Sequence, residues 1–337
     1  MKGTGRNEAN IRMKRNRWMI LAAGSLLLLG ACANVGAMRE SDGSTQAAVL
    51  EAEDSGLVQE EAERQTEQPV EGSAGPEETS TLDFQTDPSQ ATVTEGTQEY
   101  RDFLLDNVLH SANDGDIHYS VYIPDSYDGS EPYAVFFTLP GYEGLYFQGV
   151  GENLYSENFA FEAMNYNLKM IIVAPQLSDW GETSARQAIA LVEYFLCHYN
   201  IDPEKVYAEG YSGGGETMSR VLGMRPDLFA AYLHCSSQWD GGYAPVAEAR
   251  VPVYFVVGEG DEYYGAEPTR EAYDRLCALY REAGLSEEEI AQLLVLDIKD
   301  AEYFRDGGAP NQHGGGNLFA RDHEIMGWLF QARADAA

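Results

Sequence analysis

Ser212 lies in Gly210-Tyr211-Ser212-Gly213-Gly214, a G-x-S-x-G arrangement. Small glycines on either side of a serine let the backbone turn sharply and leave the hydroxyl exposed. The stretch Lys205–Glu209 leads into this turn and reads as a short strand. Apolar Met218, Val221 and Leu222 follow it and read as a helix through about Met224. Strand, tight turn and helix is the setting in which the motif carries chemistry, because the helix N-terminus turns its unpartnered N–H groups toward a reacting oxygen. The competing reading is a glycine-rich helix start with a capping serine. A serine hydroxyl is a weak nucleophile until a base takes its proton, which a histidine can do. A carboxylate then fixes the imidazole tautomer and stabilises the imidazolium. The chain has six histidines and 55 acidic residues from which to choose.

The elements that must position these groups begin near Tyr100. Phe103–His110 and Asp116–Ile123 read as two strands about the turn Asn113-Asp114-Gly115. Tyr133–Leu139 and Leu168–Ala174 are continuous apolar runs, as expected of buried strands. Ser184–Tyr199 places apolar residues at 188, 191, 192, 195, 196 and 199, one face of a helix. Ala230–Cys235, Val251–Val257 and Leu293–Ile298 read as strands, and Thr269–Ala283 and Ala320–Ala332 as helices. Ser286-Glu287-Glu288-Glu289 matches a capping box that opens a short helix. This alternation predicts a single α/β domain over residues 99–337, with a mostly parallel central sheet and helices on both faces. Ligands of open α/β sheets bind at the carboxyl ends of the strands, so the loops after Leu139, Glu209, Val257 and Ile298 are where chemistry is expected.

The run Ile201-Asp202-Pro203-Glu204-Lys205-Val206-Tyr207, the motif around Ser212, and Arg225-Pro226-Asp227-Leu228-Phe229-Ala230-Ala231 together resemble the α/β-hydrolase superfamily. The resemblance covers roughly residues 115–332. It is closest to the branch of polyhydroxybutyrate depolymerases, feruloyl esterases and related secreted esterases, with prolyl-oligopeptidase-type catalytic domains a near second. It implies a chain order of serine, then acid, then histidine. Under that order His110, His118 and His198 fall too early, and His234 precedes the acid. His313, in the loop Asn311-Gln312-His313-Gly314-Gly315-Gly316, is then the expected base, and His323 is expected to be an ordinary helical histidine. The turn Gly258-Glu259-Gly260-Asp261-Glu262 resembles the family's Gly-x-x-Asp turn and implies Asp261 as the acid, with Glu259 and Glu262 as alternatives. The family's oxyanion hole takes one amide from the residue after the nucleophile, here Gly213. The other comes from the loop after the third strand, here Pro140-Gly141-Tyr142-Glu143-Gly144, with Tyr142 as the candidate. Relatives often carry His-Gly where this chain has Pro140-Gly141; a backbone donor survives that change. Trp239, in Ser236-Ser237-Gln238-Trp239, is either a residue lining the substrate cleft or a core residue.

The charge is uneven. Lys and Arg number 22 against 55 Asp and Glu, a formal charge of −33. Residues 1–32 hold six basic residues and one acid, whereas residues 33–100 hold 16 acids and two bases. So large an acidic excess leaves no surplus of Lys or Arg to neutralise phosphates, which argues against a nucleic-acid partner. The basic start, the apolar run Trp18–Leu29 and Leu29-Gly30-Ala31-Cys32 resemble a bacterial lipoprotein signal. Residues 1–31 are then the signal peptide and Cys32 the lipidated residue. The resemblance implies a chain anchored by lipid on the extracellular face of a bacterial membrane. Residues 32–98 are rich in Glu, Gln, Ser, Thr and Gly and read as a disordered acidic tether, spanning roughly 45 Å on average. Cys197, Cys235 and Cys277 remain, of which two could form one disulfide.

The expectation is a lipid-anchored serine hydrolase that cleaves carboxylic esters of small molecules or polymers through an acyl-enzyme. It is expected to be a monomer, with no cofactor and no metal. A serine peptidase of the same fold, and a non-catalytic lipoprotein that binds ligand on a hydrolase scaffold, are the alternatives.

Overall fold

Tyr133–Leu139 and Met170–Gln176 are buried at every position, as apolar strands must be when helices cover both faces of a sheet. They are β5 and β6 of a ten-stranded sheet. The structure is a computed structural model and describes residues 87–331. The expected signal peptide, Cys32 and the tether as far as residue 86 lie outside the described residues.

The sheet runs β1 (Thr92–Thr94), β3 (Phe103–Ser111), β4 (Gly115–Tyr122), β6, β5, β7 (Ile201–Tyr211), β8 (Ala231–Cys235), β9 (Val253–Gly258) and β10 (Leu294–Lys299), with β2 (Gln98–Tyr100) on the edge of β3. Pairing is antiparallel up to β6 and parallel from β6 to β10. The antiparallel β3 alternates buried and half-buried positions. The pairings Leu139 with Gly210, Tyr211 with Cys235 and Cys235 with Val256 bring four carboxyl ends side by side.

Ten α-helices are described: α1 (Glu152–Ser156), α2 (Phe159–Ala163), α3 (Glu182–His198), α4 (Gly213–Met224), α5 (Tyr243–Ala249), α6 (Glu267–Glu282), α7 (Glu287–Leu293), α8 (Ala301–Gly307), α9 (Gly316–Arg321) and α10 (His323–Gln331). They divide the core in two. Leu191 and Phe195 of α3, Val221 of α4 and Leu276 of α6 fill one side of the sheet. Phe159 of α2, Phe319 of α9 and Met326 of α10 fill the other. A mostly parallel sheet covered on both faces agrees with the expected fold class. Ser286 caps α7 with both halves of the capping box in place.

Three differences from the sequence reading have local causes. Ordered pairing begins at Thr92, inside the segment read as tether through residue 98, because β-branched Thr92-Val93-Thr94 adds an edge strand to β3. The closing helix is two helices: Asp322 interrupts it in extended backbone and accepts the amide of Glu324, as an N-cap does. The helices α1, α2, α5 and α8 are one or two turns long, too short for a periodic signal. Cys197, Cys235 and Cys277 are all free, so the disulfide that the count allowed is not formed.

Candidate active site

The strand β7 ends at Tyr211 and α4 begins at Gly213, leaving Ser212 alone to reverse the chain. It does so at φ 54°, ψ −128°, a left-handed φ that costs a non-glycine residue roughly 1–3 kcal/mol. The surroundings hold it there. The Ser212 amide donates to the Cys235 carbonyl at 3.0 Å, and Ser237 Oγ donates to the Ser212 carbonyl at 2.6 Å. Gly210 and Gly214 meet so closely that a Cβ on Gly210 would lie 2.5 Å from the Gly214 oxygen.

Ser212 Oγ lies 3.1 Å from His313 Nε2, and His313 Nδ1 lies 2.9 Å from Asp261 Oδ2. With Nδ1 donating to the carboxylate, Nε2 keeps its lone pair for the serine proton. The structure thus brings together the three residues singled out in the sequence, although 101 positions separate Ser212 from His313. The Asp261 side chain is fully enclosed. Burial alone would raise its pKa. The hydrogen bond from His313 and the amides of Tyr264 and Tyr263 outweigh it and hold the carboxyl below its ordinary range. The alternatives to Asp261 have other tasks. Glu262 accepts the backbone amides of Gln312 and His313, and Glu259 accepts that of Ala301.

The remaining histidines sit elsewhere. His234 is buried between the Tyr232 hydroxyl and the Ser237 carbonyl, and burial depresses its pKa to about 4. His323 opens α10 and bonds Tyr166. His110 and His118 pair with Asp116 and Asp106 on the antiparallel strands, and His198 bonds its own helix.

Gly213 is the first residue of α4, and Tyr142 the first residue of the 3-10 turn Tyr142–Gly144. Neither amide therefore has an acceptor within its own turn. Both belong to loops that meet at the elbow: a Cβ on Gly141 would lie 3.5 Å from Ser212 Cβ. Trp239 is a correction to the substrate-lining reading. It is 8% exposed, donates to the Gly241 carbonyl, and stacks on Tyr243 with ring centroids 5.5 Å apart. Its indole belongs to the core.

Sequence reasoning passed over several supporting residues. Tyr263 and Tyr264 stand two and three places after Asp261 and bond its Oδ1; an aspartate bonding amides just ahead of it is a signal readable from the turn itself. Ser237, Trp180, Glu157 and Glu209 reach the site from separate loops and strands, and no spacing rule connects them.

Comparisons with known proteins bear on this geometry in three ways. Residues 177–240, which include Ser212, match the family model of the prolyl oligopeptidase family. No curated protein matches the chain. Among solved structures the chain is similar to a thermostable esterase, at 20% identity and a TM-score of 0.56, over 68% of this chain and 62% of that one. It is also similar to oligopeptidase B from Leishmania major, at 14% identity and a TM-score of 0.43, over 73% of this chain and 37% of that one. A third is Est1E from Butyrivibrio proteoclasticus, at 12% identity and a TM-score of 0.47, over 69% of this chain and all of that one. Of these three, only the first superposes closely enough to bear on the fold. The fold is that of the α/β-hydrolases.

Proposed function

We propose that this protein is a serine hydrolase that cleaves carboxylic esters through an acyl-enzyme, with Ser212 as nucleophile, His313 as base and Asp261 as the acid that orients it. One observation carries the reading: a continuous hydrogen-bonded line from Ser212 Oγ to His313 to the enclosed Asp261, starting from a strained elbow at a helix N-terminus. Ser212 Oγ bonds to the acyl carbon while its proton passes to His313 Nε2. The carbonyl oxygen becomes anionic and takes the amides of Gly213 and Tyr142. Collapse breaks the acyl–oxygen bond, and His313 returns the proton to the departing alcohol. Water, deprotonated by the same nitrogen, then releases the acid.

Three exposed aromatic residues border the site and offer apolar surface to the acyl or alcohol group. Tyr142 and Phe147 are 55% and 62% exposed with ring centroids 5.6 Å apart, and Tyr263 is 74% exposed and 5.2 Å from the His313 ring. Glu143, Glu216 and Glu262 lie around the same centre, which favours neutral over anionic esters. A peptidase is the second reading, favoured by the prolyl oligopeptidase match across the nucleophile segment. Export and lipid attachment at Cys32, with the acidic segment before β1 as spacer, complete the proposal and rest on the N-terminal sequence.

The test is hydrolysis of a p-nitrophenyl acyl ester series beside chromogenic peptide amides, by the full chain and by Ser212→Ala. Ester turnover abolished by the substitution supports the reading. Turnover of peptides alone would move the assignment to the second reading.

A further inference from the structure

Two carboxyl groups lie beneath the loop that carries Tyr142. Glu209, on β7, is fully buried; its Oε2 accepts the Thr138 hydroxyl at 2.8 Å. Glu157, just after α1, is 6% exposed; its Oε1 accepts the Gly141 amide at 3.0 Å. Thr138 is near the end of β5, and Gly141 precedes Tyr142 in the loop that follows. The two carboxyls therefore grip the same short segment at its two ends. Each has one further oxygen that is buried and unpartnered, Glu157 Oε2 and Glu209 Oε1. Among the described residues neither forms an ion pair.

We propose that Glu157 and Glu209 are positioning residues that hold the two ends of the segment from Thr138 to Gly141 as uncharged carboxyls, and so fix the Gly141–Tyr142 backbone so that the Tyr142 amide faces the reacting carbonyl. This deepens the hydrolase reading given above and rests on it. Two buried carboxylates with no cation beside them would be costly to desolvate and would repel each other, so burial favours the protonated form. The groups facing the pair strengthen the case, because every one of them becomes negative on ionising. Glu143 faces Glu157 from the loop after β5, Tyr211 faces Glu157 from β7, and Tyr232 and Cys235 face Glu209 from β8, with Cys235 facing Glu157 as well. Burial pushes Glu157 up to about 8 and, with the charge of Glu157 added, Glu209 well above its ordinary value. The last proton of the pair is therefore held to above neutral pH.

The test uses the full chain with Glu157→Gln, Glu157→Ala and Glu209→Gln. The infrared spectrum at neutral pH should show a protonated-carboxyl band that Glu157→Gln or Glu209→Gln shifts or removes. Wild-type kcat for an ester should fall as pH rises past about 8, with KM nearly constant. In Glu157→Gln that alkaline fall should disappear, since a neutral amide cannot ionise. Glu157→Ala, which leaves the Gly141 amide without its acceptor, should lose roughly tenfold or more in kcat relative to Glu157→Gln. Thermal melts of each variant separate this from misfolding. Absence of the band, or an unchanged alkaline limb in folded Glu157→Gln, overturns the proposal. A chain with the band but no hydrolase activity would overturn the hydrolase reading and leave the uncharged carboxyls standing.

Discussion

The indole of Trp180 occupies the space that a side chain on Gly213 would need: a Cβ there would lie 1.9 Å from Trp180 Nε1. Trp180 arrives from the loop between β6 and α3, and its ring centroid is 6.0 Å from that of Tyr142. One residue thus touches both positions expected to supply oxyanion amides. Gly213 is glycine because the neighbouring loop fills its side-chain volume.

Gly213→Ala should therefore be costly. Overpacking at a rigid backbone destabilises by about 1–3 kcal/mol, and any shift of the Gly213 amide should lower kcat more than it raises KM. Trp180→Ala alongside it should recover part of the loss. Chemical denaturation and ester kinetics on the two variants check this; an additive double variant would mean that the two residues do not contend for one space.

Ser237→Ala removes the hydroxyl that donates to the Ser212 carbonyl. The carbonyl keeps the amides of Gly215 and Glu216, so the loss is that of one net hydrogen bond, about 0.5–1.5 kcal/mol. The left-handed φ of Ser212 also loses a restraint. A fall in melting temperature together with a fall in kcat is expected. Wild-type kcat in a folded Ser237→Ala would show that the elbow holds its geometry without this bond.

Much of this was legible in the sequence. Ser212 announced itself because the glycines, the strand before and the helix after all lie within one short window. Asp261 and His313 followed from the resemblance to the α/β-hydrolases, through its Gly-x-x-Asp turn and its order of serine, acid and histidine. The supporting shell was not legible, for Trp180 meets Gly213, Ser237 meets Ser212 and Glu157 meets Gly141 only once separate strands lie in register. Trp239 shows the same limit from the other side: a loop tryptophan near a strand end can face solvent or the core, and here Tyr243 and the Gly241 carbonyl draw it inward. At the domain edge, the β-branched Thr92-Val93-Thr94 paired as β1 where composition suggested tether.

Asp261→Asn keeps the shape of the acid but lets its amide donate where the carboxylate must accept, favouring the wrong imidazole tautomer. kcat should fall by a factor on the order of 10⁴. Fluorophosphonate reactivity should fall with it. Activity within about tenfold of wild type would remove Asp261 from the reading.

The same carboxyl gives a signed pH effect on stability. Its pKa is lowered in the folded chain. Its contribution is therefore present above the unfolded carboxylate value, 3.8, and is lost as pH falls through the lower folded value. Denaturation midpoints followed from neutral pH downward should show a steeper acid loss for wild type than for Asp261→Asn. Parallel curves would mean that the hydrogen bonds to Asp261 contribute nothing net.

The central claim is that Ser212 is activated by His313. The most direct measurement is labelling of the full chain with a fluorophosphonate probe, with the adduct mapped by mass spectrometry, beside Ser212→Ala and His313→Ala. The account predicts one adduct, on Ser212, absent from the first variant and strongly slowed in the second. A folded wild-type chain that takes no label, or labels equally fast without His313, would contradict it.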